Sequence, residues 1–316
     1  MLKSVEVKVP ATAANLGPGF DCLGVALDLW ATVRLTSGHP QITIEGEGAE
    51  ELPKGPDNLV SRAISRFFQE TSEATPDLNL YCRNSIPLGR GLGSSAAAVV
   101  GGLFAANVLM DSPCTLNELL KLAVTIEGHP DNVAPALLGG CQIVAVDNDD
   151  VVTIPLPLAG DLRAVLFIPE QTIPTDRARS ILPSKLPIKD VVFNLSRTAL
   201  LVNALGTGNY EQLRIATQDR LHQPYRHELF PASRLFFRAA LEAGALGVFL
   251  SGAGPTILAL TTSREITIGY ELAEVAEKAG IRGIIKVVEL SNTGAHVVNK
   301  GLGENKGDGC RPEIWR

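Results

Sequence analysis

The chain has 316 residues, of which 45% are hydrophobic and 20% charged, and its net charge is −6. Single cores stop growing at roughly 250–300 residues, so two domains are expected in a globular protein with a large core. The acidic balance excludes general nucleic-acid binding, which rests on basic surface, but leaves room for a local basic pocket around an anionic substrate.

In chain order, Val5, Val7 and Val9 alternate with polar residues and predict a strand, with no sign of a signal peptide. A polar, glycine-rich loop follows over 10–21, then strands at about 25–36 and 41–45. Leu59, Val60, Ala63, Ile64, Phe67 and Phe68 recur at helical spacing behind a cap-like Asp57-Asn58. A strand at 78–83 feeds the glycine-rich stretch 87–98, and a helix rich in small residues runs from Ala96 to Met110. Residues 91–110 carry no charge and are long enough for a membrane span. Their serines, asparagine and glycines favour a buried core helix instead, so no membrane association is expected.

Thr115-Leu-Asn-Glu118 reads as a capping box, opening a helix with Leu116, Leu119, Leu120, Ala123 and Ile126 facing inward and stopping at Glu127-Gly128. Glu127-Gly-His-Pro-Asp-Asn-Val-Ala-Pro-Ala136 is a polar knot before a strand at 142–146. The acidic, proline-broken stretch 147–157 is the best domain boundary, giving domains 1–155 and 156–290. Beyond it come a strand at 164–168 and helices near 175–182, 190–205, 210–221 and 233–243. Two short strands flank a glycine turn within 248–260, and a helix (265–279) and a strand (285–290) close the second domain. This succession predicts α+β domains. The tail 291–316 has little periodic hydrophobicity and is expected to be loose and flexible. Five scattered cysteines (Cys22, Cys82, Cys114, Cys141, Cys310) form no C-x-x-C pair and read as reduced thiols of a cytoplasmic protein.

The stretch Pro87-Leu-Gly-Arg-Gly-Leu-Gly-Ser-Ser-Ala-Ala-Ala98 carries the most chemistry. Gly89, Gly91 and Gly93 permit positive φ and close approach to a ligand, and the serines place hydroxyls and free N–H groups at a helix N-terminus. Such a loop suits phosphate. It lacks the lysine of a Walker loop, and Ser94 stands where a dinucleotide fingerprint needs glycine.

Taken in order, segments 10–21, 87–98 and 251–256 resemble the three motifs of the GHMP kinases. Within that family, Pro-Ala-Thr-Ala-Ala-Asn-Leu-Gly-Pro-Gly-Phe-Asp, Glu-Gly-His-Pro-Asp-Asn-Val-Ala-Pro-Ala and Leu-Ser-Gly-Ala-Gly-Pro-Thr are similar to the homoserine kinases. The resemblance implies an N-terminal domain like the second domain of ribosomal protein S5 and a ferredoxin-like C-terminal domain. It implies ATP-dependent phosphorylation of the L-homoserine hydroxyl to O-phospho-L-homoserine, a step of threonine synthesis, with Mg²⁺. It also suggests a homodimer, for which the sequence carries no apolar stripe as proof.

On this resemblance Pro87, Leu88, Gly89, Arg90, Gly91, Leu92, Gly93, Ser94, Ser95, Ala96 and Ala97 wrap the ATP phosphates, and Ser95 and Glu127 hold the metal. Asn15, Asp21, His129, Thr175, Arg179 and Arg226 bind homoserine, the two arginines by clamping its carboxylate. Asp131, Asn132 and Arg179 form the catalytic set. Whether Asp131 or Asn132 acts as a base, or no base is needed, stays open, because phosphoryl transfer depends mainly on positioning and charge neutralisation. Arg177 and Arg220 lack a family match. His39, His222, His227 and His296 have no motif context and read as surface or satisfied core residues. A GHMP kinase for a different alcohol and a non-catalytic ligand-binding relative are the competing readings.

Overall fold

The computed structural model describes residues 3–148 and 150–301 as an α+β molecule of two domains. Strand β1 (Ser4–Ala14) buries Val5, Val7 and Val9 completely, as their alternation predicts. It continues to Ala14, past the point where the sequence suggested a loop. Its pairing with β2 (Leu23–Ser37) shifts register between Pro10 and Ala11 and then resumes. A bulge at the residue with no N–H to donate lets the strand carry proline. Only 15–22 is loop.

The long β2 pairs with β4 (Leu78–Asn84) along its second half and with β5 (Cys141–Asp147) at its start. Strand β3 (Gln41–Gly46) lies parallel to β4 and is joined to it through α1 (Leu59–Glu70). The Asn58 side chain caps α1 by accepting from the N–H groups of Val60 and Ser61. Helix α2 (Ser94–Leu109) packs against this sheet and against α1, α3 (Leu116–Glu127) and α4 (Pro130–Leu138). Enclosure on all sides explains the uncharged run. A Cβ on Gly102 would sit 2.7 Å from the Val60 carbonyl oxygen, so only glycine permits this approach. Among the described residues no helix is long and apolar enough to cross a membrane.

The capping box at Thr115 and Glu118 forms as expected, although Leu116, at the first helical position, is exposed. After Gly128 the polar segment is not a knot but the start of α4, with His129 as N-cap and Pro130 just inside the helix. The expected boundary stretch is also structured. Strand β6 (Asp150–Leu156) forms a hairpin with β5, so the acidic residues Asp147 and Asp150 pair at its closed end and the first sheet takes in residues through Leu156.

The second domain holds β7 (Arg163–Pro169), four helices, then α9 (Ser233–Glu242), β8 (Gly247–Leu250), β9 (Ile257–Thr261), α10 (Glu265–Lys278) and β10 (Gly283–Glu289). Its antiparallel sheet has the order β10-β7-β9-β8, the ferredoxin-like arrangement. The four helices are α5 (Thr175–Ser180), α6 (Ile188–Thr207), α7 (Leu213–Ala216) and α8 (Gln223–Arg226). The single helix expected over 210–221 is absent. A 3₁₀ turn at Tyr210–Gln212 leads into α7, which ends before Thr217. The Asp219 carboxylate then accepts from the N–H groups of Leu221, His222 and Gln223, which ends the first helical path and starts α8.

The chain after Ser291 is not loose where it is described. Ser291 N–H donates to Ala26 O and Gly140 N–H to Ser291 O, and β11 (His296–Gly301) pairs antiparallel with β1 at the edge of the first sheet. Residues 302–316, including Cys310, lie outside the described residues. The other four cysteines are free.

Candidate active site

The first loop, the glycine loop, the starts of α4 and α5, helix α8 and the β8–β9 turn line one cleft between the domains. The β8–β9 turn docks on the end of β1 and on the glycine loop: Gly252 N–H donates to Ala14 O at 3.1 Å, and the Ser251 hydroxyl to Gly91 O at 2.6 Å.

In the glycine loop Gly91 and Gly93 have φ of 73° and 69°. A Cβ would lie 2.1 Å from Ser251 O at Gly91 and 1.9 Å from Thr12 Oγ1 at Gly93, so both positions require glycine by conformation and by space. Helix α2 starts at Ser94 without a side-chain cap, and Ala97 N–H is the donor that reaches Gly93 O. The N–H groups of Ser94, Ser95 and Ala96 therefore lack a helical partner at the positive end of the dipole. An anion fits there.

Within the expected phosphate set the residues differ in what they present to the cleft. Ala96 and Ala97 are fully buried and do not line the cleft, which ends at Ser95. Leu88 instead faces an adjoining apolar cleft with Ile44, Leu59 and Cys82, which also reaches Ser94 and Ser95. Arg90 lines the main cleft, but its guanidinium is occupied by the carbonyls of Leu88 (3.0 Å), Pro169 (2.7 Å) and Glu170 (2.8 Å).

Ser95 and Glu127 converge as expected, the hydroxyl donating to Glu127 Oε2 at 2.8 Å. Both oxygens are hard donors of the kind Mg²⁺ prefers. Among the described residues no group of three or more His, Cys, Asp or Glu could hold a metal by itself. The pair fits an ion completed by phosphate oxygens and water.

On the other side of the cleft, Asn15 is fixed in the first loop, with φ 69°, by donating to Gly252 O at 3.0 Å and accepting from Asp21 N–H at 3.0 Å. Arg179 on α5 grips the Asp21 carboxylate with both terminal nitrogens, and this hydrogen bond is the main reason its pKa is raised. Arg226 is buried; desolvation, then the charge of Arg179, brings its pKa down to about 10, so it stays protonated at neutral pH. Both guanidiniums lie within cation–π range of the Phe20 ring, 5.6 Å for Arg179 and 5.5 Å for Arg226. Thr175, the first residue of α5, also lines the cleft.

At the start of α4, His129 Nδ1 lies 2.9 Å from Asp131 Oδ1, which Asn132 Nδ2 approaches at 3.4 Å. Burial opposes the charged form of His129, but the hydrogen bond and charge of Asp131, with Glu127, outweigh it and raise its pKa above 6.5. Fully buried Thr12 donates its hydroxyl to Asn132 Oδ1 at 2.8 Å, which points the amide N–H groups away from β1. Burial and the charges of Asp131 and Asp21 push the Cys22 thiol up to about 11, so it is protonated here.

Every other sequence-predicted site residue lines this one cleft. Sequence reasoning assigned no role to Thr12, Phe20, Ile173, Gly252, Ala253 or His222. Thr12 and Phe20 stand inside the first motif, Gly252 and Ala253 inside the third, and His222 lies one helical turn before Arg226, so a signal was present for five of them.

The fold pairs an S5-like domain carrying the glycine loop with a ferredoxin-like domain that closes the cleft, the architecture of a small-molecule kinase. Residues 58–140 match the GHMP kinases N terminal domain, and residues 201–278 match the GHMP kinases C terminal domain. The chain belongs to the GHMP kinase family. Among its relatives, the homoserine kinase of Moorella thermoacetica is 44% identical over 293 residues, which covers 92% of this chain and 99% of that protein. The homoserine kinase of a Synechocystis species is 44% identical over 300 residues, covering 93% and 98%. The crystal structure of homoserine kinase from Cytophaga hutchinsonii superposes with a TM-score of 0.86 at 33% identity, covering 94% of this chain and 98% of that one.

Proposed function

We propose that the protein is a homoserine kinase, transferring the γ-phosphoryl group of ATP to the side-chain hydroxyl of L-homoserine. The observation that carries this reading is one cleft that offers partnerless helix N–H groups at one end and a carboxylate with two guanidiniums at the other. The first suits a polyphosphate; the second complements a zwitterionic amino acid. Extensive identity to homoserine kinases supports the same assignment.

In this reading the loop 87–95 and the first turn of α2 bind the phosphates, and the apolar cleft at Leu88 takes the nucleoside. Ser95 and Glu127 would hold Mg²⁺, which neutralises charge on the phosphates when bound. Asp21 receives the substrate ammonium, and Arg179 and Arg226 its carboxylate. This exchanges the internal Asp21–Arg179 pair for two contacts to the substrate without changing the charge of the cleft. Asn132, oriented by Thr12, presents its amide to the acceptor hydroxyl. Asp131 Oδ1 is bonded to His129, and because phosphoryl transfer depends mainly on positioning and charge neutralisation, the hydroxyl proton leaves late, toward phosphate, without a strong base.

ADP formation measured with L-homoserine, mevalonate, galactose and shikimate as acceptors tests the assignment. Turnover with homoserine alone is expected. Preference for another alcohol replaces the substrate, and no turnover with any of them supports a non-catalytic relative.

A further inference from the structure

His222 is completely buried at the N-cap of α8, yet one ring spans the gap between the two domains. Its Nε2 lies 2.7 Å from the carbonyl oxygen of Gly17 in the first loop and 3.6 Å from Asp219 Oδ2. Both neighbours are acceptors, so Nε2 carries the hydrogen. Its Nδ1 lies 3.1 Å from Arg226 Nη1, a group that can only donate, so Nδ1 presents its lone pair. The surroundings thus select one neutral tautomer. Burial favours the same neutral state. Asp219 fixes the turn that presents this ring: it accepts from the N–H groups of Leu221, His222 and Gln223 and from Asn194 Nδ2 at 2.7 Å.

The histidine is one of three groups that aim the Arg226 fork. Arg226 Nε donates to Ala178 O at 3.3 Å, and Nη1 divides its two hydrogens between Gly252 O (2.8 Å) and His222 Nδ1. Among the described residues Nη2 has no protein partner, and Arg226 lines the cleft. Gly17 belongs to the loop that carries Asn15, Phe20 and Asp21, and the Phe20 ring packs 5.3 Å from the imidazole. We propose that His222 is a positioning residue for the substrate carboxylate. By accepting from Arg226 and donating to Gly17 it sets the direction of the free arm of the guanidinium and ties that arm to the loop holding Asp21. This inference rests on the reading of the cleft as the homoserine site.

Two substitutions divide the two bonds. In His222→Asn an amide oxygen replaces Nδ1 and can still accept from Arg226, but nothing reaches Gly17. In His222→Gln an amide N–H replaces Nε2 and can still reach Gly17, but Arg226 loses its acceptor. The wild-type enzyme is assayed first with L-homoserine; absence of turnover retires the reading of the cleft and the inference with it. Given turnover, the KM for homoserine is expected to rise at least tenfold in His222→Gln and less than threefold in His222→Asn. The KM for ATP should stay within twofold in both. A homoserine KM unchanged in His222→Gln overturns the positioning role while leaving the kinase assignment intact. Parallel rises for both substrates in both variants also overturn it, because they mark a role in the fold alone. Nitrogen-15 NMR of the wild-type imidazole needs no variant. The Nε2–H tautomer at pH 7 is expected, and an Nδ1–H or doubly protonated ring overturns the inference.

Discussion

Arg179 donates to both carboxylate oxygens of Asp21, at 2.7 and 2.9 Å, joining helix α5 of the second domain to the first loop of the N-terminal domain. About a third of each side chain is exposed, so the pair can open without uncovering a buried charge. A zwitterion can therefore enter between the two partners. In the proposed reading each partner exchanges the other for one charge of the substrate.

Asp21→Asn removes the negative charge of that pair, and Arg179→Lys removes its two-pronged guanidinium grip. A charge-assisted hydrogen bond is worth about 1.5–3 kcal/mol, so the KM for homoserine is expected to rise roughly 10- to 150-fold. Steady-state kinetics with each substrate varied in turn checks this, and the KM for ATP should not move.

Ser95→Ala and Glu127→Gln each remove one oxygen donor from the convergent pair. Both are expected to raise the Mg²⁺ concentration needed for half-maximal rate by at least about tenfold, the scale on which support of a metal site acts. Mg²⁺ titration of the rate reads this directly. A rate curve that does not shift for Glu127→Gln would move the ion elsewhere.

Asp131→Asn keeps a side chain that can still bond His129, and its turnover is expected within about tenfold of wild type, since phosphoryl transfer relies on positioning. A loss of several orders of magnitude in kcat at unchanged homoserine KM would make Asp131 the base.

Thr12→Val preserves shape and deletes the hydroxyl that orients Asn132. One neutral hydrogen bond, about 1 kcal/mol, corresponds to a kcat reduction of roughly fivefold to tenfold with both KM values held. Thr12→Ser should restore the rate. An unchanged kcat in Thr12→Val removes the orienting role.

Burial, with the Arg234 charge beside it, lowers the pKa of His227 to about 4 from the usual 6.5. The unfolded chain then binds more protons than the folded one between those values. Stability from this group is complete above about pH 6.5 and is lost as the pH falls toward 4. Urea unfolding across that window should show a shallower slope of stability against pH in His227→Gln than in wild type, by as much as about one proton. His222 is shifted in the same direction, so part of the slope remains in the variant.

Motifs exposed the site more fully than periodicity exposed the fold. Glycine spacing and the two serines marked the loop that lines one end of the cleft, because φ and helix-end chemistry are local. The strand through Pro10, the hairpin at β6 and the edge strand β11 were misread because each depends on a partner strand distant in sequence. The break at Thr217 followed from one carboxylate, Asp219, gathering several N–H groups, which helical spacing does not reveal. His222 looked like a core residue by itself. Only the positions of Gly17 and Arg226, 205 and 4 residues away, give its two nitrogens separate duties.

The fastening of Arg90 to Pro169 and Glu170 bears on how the chain can be cut or recombined. A glycine loop with few side chains of its own draws part of its shape from a carbonyl pair at the end of β7, in the other domain. An excised N-terminal fragment ending at Leu156 would keep every glycine of the loop and lose the anchor that holds it in place. The shape of the glycine loop is thus a property of the joined chain, and exchanging second domains between relatives would exchange the anchor of that loop as well.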